Sequence, residues 1–279
     1  MNVYSINTGY FKLDGGAMFG VVPKSIWQNI NPADSNNMCS WALRCMLIHD
    51  GDRLTLVDTG MGNKQDDKFF GHYNLHGTDT LDKSLAQHGF CRADVTDVLL
   101  THLHFDHCGG AIVKGDNDAL QPAFINATYW SNTQHWQSAT QPNAREKASF
   151  LAENILPIQA SGQLKFIDTD ANHFPPNITI RQVFGHTEAM MLPQVVYKNR
   201  TILYMADLLP SAGHIPLPYV MAYDMYPATT LTEKSNFLTE ALQNDYVLFF
   251  EHDPHIECCT LQLTNKGIRL KDSFKLSEL

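Results

Sequence analysis

The sequence has no long apolar segment and little cysteine. No run approaches the roughly 18 apolar residues that a membrane-spanning helix requires. Six cysteines without a C-x-x-C pair are too few for a disulfide scaffold in a chain of 279 residues. The amino-terminal stretch MNVYSINTGYF has neither the basic nor the apolar region of a secretory signal. We therefore expect a cytoplasmic protein with no membrane-bound part.

Basic residues are also scarce. Lys and Arg total 20 against 29 Asp and Glu, and the formal net charge of −9 argues against a nucleic-acid partner. Hydrophobic residues make up 44% and charged residues 18%, which excludes a disordered or fibrous chain and permits a large buried core. The length alone is compatible with one or two domains.

Apolar runs separated by turn residues predict alternating strands and helices. The Asp50-Gly51 pair predicts a β-hairpin, and Thr230 begins a capping-box pattern that predicts a helix to about Gln243. Alternation of this kind favours sheets covered by helices. The remaining predictions are strands at 97–101, 178–184, 201–206 and 246–250, and helices at 78–87 and 144–156.

A His or an Asp lies within two residues of the end of each of four predicted strands. These ends follow Leu100, Phe184, Ala206 and Phe250. Loops at the ends of packed strands are where functional sites are usually built. The side chains that follow can therefore converge on one rim of the fold.

The segment Thr101–Gly110 reads THLHFDHCGG and contains three histidines and one aspartate within six positions. Imidazole is the preferred ligand of Zn²⁺ and neighbouring first-row metals, and carboxylates complete such sites. The H-x-H-x-D-H pattern is far more specific than an isolated pair of histidines. We expect His102, His104, Asp106 and His107 to bind metal.

With this motif the sequence resembles the metallo-β-lactamase superfamily. The resemblance extends over residues 40–255, through Val57-Asp58-Thr59-Gly60, Gly185-His186-Thr187, Ala206-Asp207 and His252. It implies an α/β fold, a four-layer αβ/βα sandwich with a dinuclear metal site at one edge. It also implies a single metallo-β-lactamase-like domain over residues 1–279.

The resemblance further implies two divalent metal ions, with zinc favoured over manganese, iron or cobalt. His102, His104 and His186 would bind one ion, and Asp106, His107 and His252 the other. Asp207 would bridge both, and Asp58 would orient a ligand from behind. His252 is preferred to His255 because it directly follows the apolar strand.

A finer resemblance is to the branch of acyl-homoserine lactonases and methyl-parathion hydrolases. It rests on Gly9–Gly20, on the predicted helix around Arg145–Ile155 and on 207–214 with 221–224. Two departures stand out: Pro210 occupies the position of a tyrosine in a lactonase group, and Glu188-Ala189-Met190 follows His186-Thr187. His214 and Tyr223 are therefore candidates for contacting a substrate carbonyl, with packing roles as the alternative.

The resemblance implies a hydrolase in which a metal-bridging hydroxide opens a small ester, foremost a lactone such as an N-acyl homoserine lactone. Asp106 would orient the nucleophile, and Asp207 would set the distance between the metals. Alternatives are a phosphotriester, thioester or β-lactam hydrolase, an iron-dependent oxygenase or redox protein, and a non-catalytic scaffold. His104 stands where the redox branch carries a glutamate, which favours hydrolysis. A homodimer is compatible with the sequence.

Bulky apolar residues between these motifs are candidates for a substrate-binding wall, with ordinary packing as the alternative. Cys108 is expected to be structural because the motif already supplies enough ligands. The adjacent Cys258 and Cys259 are expected to pack, with redox chemistry as the alternative. The wall candidates are Phe69, Phe70, Trp130, Trp136, Met190, Met191, Tyr219 and Met221.

Overall fold

The computed structural model describes residues 1–279 and contains fourteen strands and eight α-helices. The strands are β1 (Asn2–Asp14), β2 (Met38–Asp50), β3 (Arg53–Val57), β4 (Asp97–Leu99), β5 (Ile112–Lys114), β6 (Leu120–Pro122), β7 (Thr128–Ser131), β8 (Leu164–Phe166), β9 (Ile178–Val183), β10 (Met190–Tyr197), β11 (Arg200–Tyr204), β12 (Val247–Phe249), β13 (Cys258–Thr264) and β14 (Gly267–Phe274). The helices are α1 (Gly15–Phe19), α2 (Lys24–Trp27), α3 (Asp67–Tyr73), α4 (Leu81–Gln87), α5 (Phe105–Cys108), α6 (Thr133–Thr140), α7 (Ala152–Ala160) and α8 (Pro227–Gln243).

Two six-stranded sheets form the centre of the molecule. The first has the order β1-β2-β3-β4-β7-β8, and the second has the order β14-β13-β12-β11-β10-β9. In the first sheet, the pairs β3-β4, β4-β7 and β7-β8 are parallel, and in the second sheet the pair β11-β12 is parallel. All other neighbouring strands of the two sheets pair antiparallel. Strands β5 and β6 form a separate hairpin. Parallel pairs place several strand ends at the same edge, where the metal-ligand candidates follow.

Alternating side chains of the first sheet divide between two cores. In β2, Met46 and Ile48 join the core between the sheets, whereas Cys45 and Leu47 join the core beneath the helices α4, α6 and α7. The two-residue period of a strand produces this division, since successive side chains point to opposite faces. Each fully buried aliphatic side chain contributes roughly 1.5–3 kcal/mol through removal from water.

Helix α8 covers the outer face of the second sheet. Its Phe237, Leu238 and Ala241 pack in the same 31-residue core as strands β10 to β13. The layer order is therefore helices, sheet, sheet, helix, which confirms the predicted αβ/βα sandwich. None of the helices is both long and apolar enough to cross a bilayer.

All three predicted helices begin at other residues than expected, and α4 begins at Leu81 rather than at residue 78. The prediction of a helix at 144–156 is wrong, because 144–149 forms turns and α7 runs from Ala152 through Pro157 to Ala160. A proline inside a helix removes one backbone hydrogen bond, but the helix can continue past it, as α7 does at Pro157. Helix α8 begins at Pro227 rather than Thr230. Its predicted capping-box Glu233 instead accepts hydrogen bonds from the amides of Phe184 and Gly185.

Candidate metal centre

The predicted ligands come together at one edge of the sandwich, between the two sheets. Loops after β4, β9, β11 and β12 supply them, as the positions of the strand ends in the sequence suggest. All of these residues are buried. The set consists of His102, His104, Asp106, His107, His186, Asp207 and His252.

Three histidines and one aspartate form the first group. His104 Nδ1 lies 3.1 Å from His102 Nε2 and 3.2 Å from His186 Nε2. Asp207 Oδ2 approaches His186 Nε2 at 3.1 Å and His102 Nε2 at 3.8 Å. All four donor atoms lie within 4.8 Å of one another. This is the mixed imidazole and carboxylate donor set that first-row metals prefer.

The second group shares Asp207 with the first. His252 Nε2 lies 3.2 Å from His107 Nε2, and Asp106 Oδ2 lies 3.7 Å from His252 Nε2. The second oxygen of Asp207, Oδ1, lies 3.2 Å from His252 Nε2. Asp207 Oδ2 also lies 3.5 Å from His107 Nε2, so the carboxylate of Asp207 contacts both groups. His255 is exposed and takes no part in either.

The outward-facing nitrogens of the histidines have partners behind them. Such partners fix the ring orientation and leave the inward nitrogen with its lone pair. His186 Nδ1 donates to Asp224 and His252 Nδ1 donates to the Ala42 carbonyl, both at 2.8 Å. His102 Nδ1 donates to Thr101 Oγ1 at 3.1 Å, and His107 Nδ1 donates to Asp58 at 3.2 Å. His104 Nε2 faces Glu146 at 3.8 Å.

These residues fit divalent cations. Inward nitrogens at about 3.2 Å from one another cannot all hydrogen-bond among themselves when their outer nitrogens carry the protons. Asp207 Oδ1 is buried without a hydrogen-bond partner. Although burial disfavours their charged forms, the negative charge of Asp207 raises the pKa of His186 to about 10 and that of His252 to about 9. The cluster therefore favours positive charge at its centre, which metal ions supply.

Two buried carboxylates stand behind His107. Asp58 accepts hydrogen bonds from the amide and the hydroxyl of Thr101, both at 2.7 Å, in addition to the one from His107. Asp58 thus ties the metal-ligand loop to the end of β3. Glu251 Oε2 also lies 3.0 Å from His107 Nδ1, and burial raises the pKa of Glu251 to about 7. Sequence reasoning missed Glu251, although it directly precedes His252.

Sequence reasoning also gave no role to Asp224 and Glu146. Asp224 holds His186, and its second oxygen is buried without a partner. Glu146 accepts from Thr187 at 2.5 Å and from Asn143 at 2.6 Å while facing His104. Both lie in loops whose positions follow from tertiary packing, so neither residue stands at a recognisable spacing from the histidines.

A buried histidine joins the two ligand loops across the sheets. His135 Nε2 accepts from the amide of Leu103, between His102 and His104, at 2.8 Å. Its Nδ1 donates to the carbonyl of Glu188 at 2.6 Å. Burial lowers the pKa of His135 to about 4, which keeps the ring in the neutral form that this donor and acceptor pair requires.

We expect replacement of His135 by leucine to destabilise the protein by about 3 kcal/mol, because two buried backbone groups lose their partners. It should also speed the loss of metal to a chelator, since the two ligand loops are no longer joined. Replacement by glutamine is the matched control, because its amide offers an acceptor and a donor at similar spacing. Thermal unfolding and metal-release rates measure both effects. Equal metal release from the two variants would contradict this role.

A cavity of about 300 Å³ opens directly above the cluster. The ligands His104, Asp106, His186, Asp207 and His252 contribute to its lining. Leu13, Met18, Phe105 and Met221 give it an apolar wall, and Arg145, Ser149 and Tyr223 contribute polar groups. An apolar cavity with a few convergent polar groups is typical of a small-molecule site.

The apolar wall differs from the one expected. Of the eight candidates only Met221 lines the cavity. Trp130, Met190 and Met191 pack in the core between the sheets, and Trp136 packs beneath the helices. Phe69, Phe70 and Tyr219 pack against a third core near the amino terminus. The wall instead draws on Leu13 and Met18, because β1 and α1 fold back beside the cluster.

His214 is a packing residue and does not reach the cavity. It is buried, stacks on Phe19 at 4.6 Å and donates to the carbonyl of Met18 at 2.9 Å. Its other nitrogen contacts Ser211 at 2.8 Å. Both ring nitrogens are therefore occupied within the protein, and the expected contact with substrate is wrong. Tyr223, the other candidate, does line the cavity.

The cysteines show no catalytic arrangement. Cys108 donates to the carbonyl of Leu103 at 3.3 Å, and burial raises the pKa of its thiol to about 12. Cys258 and Cys259 are buried, and no cysteine forms a disulfide. Buried thiols of raised pKa are poor nucleophiles and poor metal ligands.

Comparison with protein families finds a match for the part of the chain that contains the histidine-rich loop. Residues 44–113, which include the hairpin β2-β3 and the THLHFDHCGG loop, match the model of the metallo-beta-lactamase superfamily. The predicted resemblance to this superfamily and the predicted fold are thereby confirmed. A search of curated protein sequences found no match.

Solved structures that are similar to this chain cover nearly all of its length. A probable metal-dependent hydrolase from Staphylococcus aureus is 25% identical with a TM-score of 0.87, over 100% of this chain and 98% of that one. AidC, a dizinc quorum-quenching lactonase in complex with the product N-hexanoyl-L-homoserine, is 22% identical with a TM-score of 0.78, over 98% and 94%. An N-acyl homoserine lactone hydrolase with the same product at its catalytic metal centre is 20% identical with a TM-score of 0.68, over 90% and 93%.

Proposed function

We propose that the protein is a dinuclear-metal hydrolase that opens a small ester, foremost a lactone such as an N-acyl homoserine lactone. The observation that carries this proposal is the position of the seven-residue cluster at the floor of an apolar cavity. A substrate bound in that cavity meets the cluster directly. Because the cluster draws on both sheets, we also propose that residues 1–279 act as one domain.

Within this proposal, His102, His104 and His186 would hold one divalent ion, and Asp106, His107 and His252 would hold the other. Asp207 would serve both ions, since its carboxylate contacts both groups. Zinc is the favoured metal because the set is rich in imidazole. Asp58, Glu251, Asp224 and Glu146 keep the imidazoles oriented from behind.

Divalent ions bound there would supply Lewis acidity, which polarises a carbonyl oxygen and lowers the pKa of bound water towards neutral pH. The protein contributes orientation and a partly dry site. Asp106 lies at the cavity floor and can accept a hydrogen bond from the attacking water, which aligns a lone pair of that water with the carbonyl carbon. The apolar wall holds the acyl part of the substrate and limits the access of bulk water.

Tyr223 is the donor that we assign to the substrate carbonyl. It lines the cavity, and its hydroxyl has no hydrogen-bond partner in the protein. Burial, with Asp106 nearby, raises the pKa of its phenol, which therefore stays protonated and can donate. It takes the role that Pro210 cannot take at the position expected from the resemblance.

The similar structures favour a lactone as the substrate. AidC and the N-acyl homoserine lactone hydrolase each hold N-hexanoyl-L-homoserine, the opened form of a lactone. The volume of about 300 Å³ suits a substrate of that size. Thioesters and phosphotriesters are the alternatives that the experiment separates.

The test combines metal content with proton release on a panel of acyl lactones, aryl esters, thioesters and phosphotriesters. We expect close to two divalent ions per chain and the fastest proton release on a lactone. Elemental analysis and a pH-stat measure the two quantities on one sample. A single iron with no hydrolysis of any panel member would overturn the proposal, and a thioester or phosphotriester as the fastest substrate would overturn the lactone assignment.

We expect replacement of Tyr223 by phenylalanine to lower kcat about tenfold or more, because one hydrogen bond to the developing oxyanion is lost. Metal content and thermal stability should not change, since the hydroxyl bonds to no other protein group. Replacement of Tyr226, which is exposed and lies outside the cavity, by phenylalanine is the control. Equal kcat values for the two variants would remove Tyr223 from the reaction.

A further inference from the structure

The mouth of the cavity carries hydrogen-bond donors that the protein leaves free. Arg145 and Ser149 line it, and the hydroxyl of Ser149 bonds to no protein group. Arg145 is the only arginine in the lining, which contains no lysine. The remaining polar lining belongs to the metal cluster and to Glu146.

The guanidinium of Arg145 is held in place from one side. Its Nη2 donates to the carbonyls of Ala222 and Asp224, the latter at 3.4 Å. These contacts join the turn at 143–149 to the loop at 222–224 across the mouth. Its Nη1 and Nε make no hydrogen bond within the protein, so three N–H groups remain available to a ligand.

No carboxylate of the protein neutralises Arg145. The neighbouring Glu146 is directed inward, where it accepts from Thr187 and Asn143 and faces His104. The chain has 29 acidic against 20 basic residues, yet Arg145 forms no ion pair. An unpaired guanidinium fixed at a cavity mouth is suited to a planar anion such as a carboxylate.

We infer that the substrate carries a carboxylate, which Arg145 binds at the mouth while the ester or lactone carbonyl lies at the metal cluster. Ser149, four residues along the same turn, donates a further hydrogen bond to that carboxylate. This inference rests on the proposed hydrolase function, and among the possible substrates it favours acidic esters and lactones over neutral ones such as N-acyl homoserine lactones. Arg145 is then a specificity-determining residue, which contacts the part of the substrate that does not react.

The test compares two γ-lactones that differ in one group, a ring carboxylate in one and a neutral primary amide in the other. For the metal-loaded protein we expect kcat/KM to be about tenfold higher for the carboxylate, as one charge-assisted hydrogen-bonded pair implies. Arg145→Gln should abolish this preference, chiefly by raising KM for the acidic lactone. Arg145→Lys should retain part of it, because the charge remains and the planar fork is lost.

The chain offers a matched control in Lys147. This lysine is exposed in the same turn and lies outside the cavity lining, so Lys147→Gln removes the same charge without touching the mouth. It should leave the preference unchanged. Equal use of the two lactones by the unaltered protein would overturn the inference, as would equal losses in Arg145→Gln and Lys147→Gln.

Binding of lactam analogues separates this inference from the proposed activity. Pyroglutamate and its primary amide reproduce the two lactones without an ester bond, and NMR titration measures their dissociation constants. We expect the unaltered protein to bind pyroglutamate about tenfold more tightly, and Arg145→Gln to bind both alike. If no ester or lactone is hydrolysed, the proposed function is wrong, and this titration still decides the inference. A preference that survives in Arg145→Gln would overturn it.

Discussion

Replacement of Asp207 by asparagine is expected to lower kcat by at least about a hundredfold and to reduce the metal content below two ions per chain. Asp207 is the carboxylate that contacts histidines of both groups of candidate ligands, with Oδ2 3.1 Å from His186 and Oδ1 3.2 Å from His252. Asparagine keeps the size of the side chain but removes the negative charge. It also replaces one ligand oxygen by an NH₂ group that cannot bind a cation.

The control for this change is Asp97→Asn, which makes the same substitution at another buried aspartate. Asp97 accepts a hydrogen bond from the indole of Trp130 at 2.8 Å and lies outside the cluster. Its replacement should lower stability while both ions remain bound. Elemental analysis, circular dichroism and initial rates on the same samples compare the variants. Near-normal turnover of Asp207→Asn with two ions retained would rule out the bridging role.

The metal-ligand positions could be predicted because they lie close to strand ends or within one short motif. His102, His104, Asp106 and His107 are neighbours in sequence, and their chemistry is evident from residue type. His186, Asp207 and His252 each follow an apolar run, and strands that end at one edge of a sheet bring such residues together. His252 was separated from His255 on this ground, and the structure leaves His255 exposed.

The groups behind the imidazoles could not be predicted, because they follow from tertiary packing. Asp224 and Glu146 lie in irregular loops, and His135 lies at the beginning of a short helix. Each reaches the cluster through contacts between segments far apart in sequence, such as His135 with Leu103. A single sequence contains no periodic signal for a contact of this kind.

The cavity wall was predicted least well, for a similar reason. Large apolar side chains near the motifs were chosen by size, but large buried side chains mostly fill cores. Trp130 accordingly packs between the sheets. The strand β1 was not predicted at all, because its apolar residues do not alternate regularly: a bulge between Asn7 and Tyr10 shifts the pairing. This strand and the helix after it carry Leu13 and Met18 into the wall.

Replacement of Gly110 by alanine is expected to prevent folding of the metal-ligand loop and to leave little soluble, metal-loaded protein. A Cβ atom at this position would lie well under 3.0 Å from the carbonyl oxygen of Thr59, a distance that side chains do not adopt. The amide of Gly110 donates to the carbonyl of Gly60 at 2.9 Å, so the loop cannot shift without losing a buried hydrogen bond. The expected cost exceeds about 4 kcal/mol, which places it among the largest effects of single substitutions.

The matched control is Gly71→Ala in helix α3, where no atom lies within 4 Å of the added Cβ. Alanine there should stabilise the protein by roughly 0.5–1 kcal/mol, because glycine is a poor helix former. Expression yield, thermal unfolding and bound metal distinguish the two variants. Gly110→Ala protein that folds with native stability and two bound ions would show that the THLHFDHCGG loop does not need its close approach to Thr59. The two glycines therefore test whether the ligands are placed by the packing of this loop on the end of β3, rather than by the ligand residues alone.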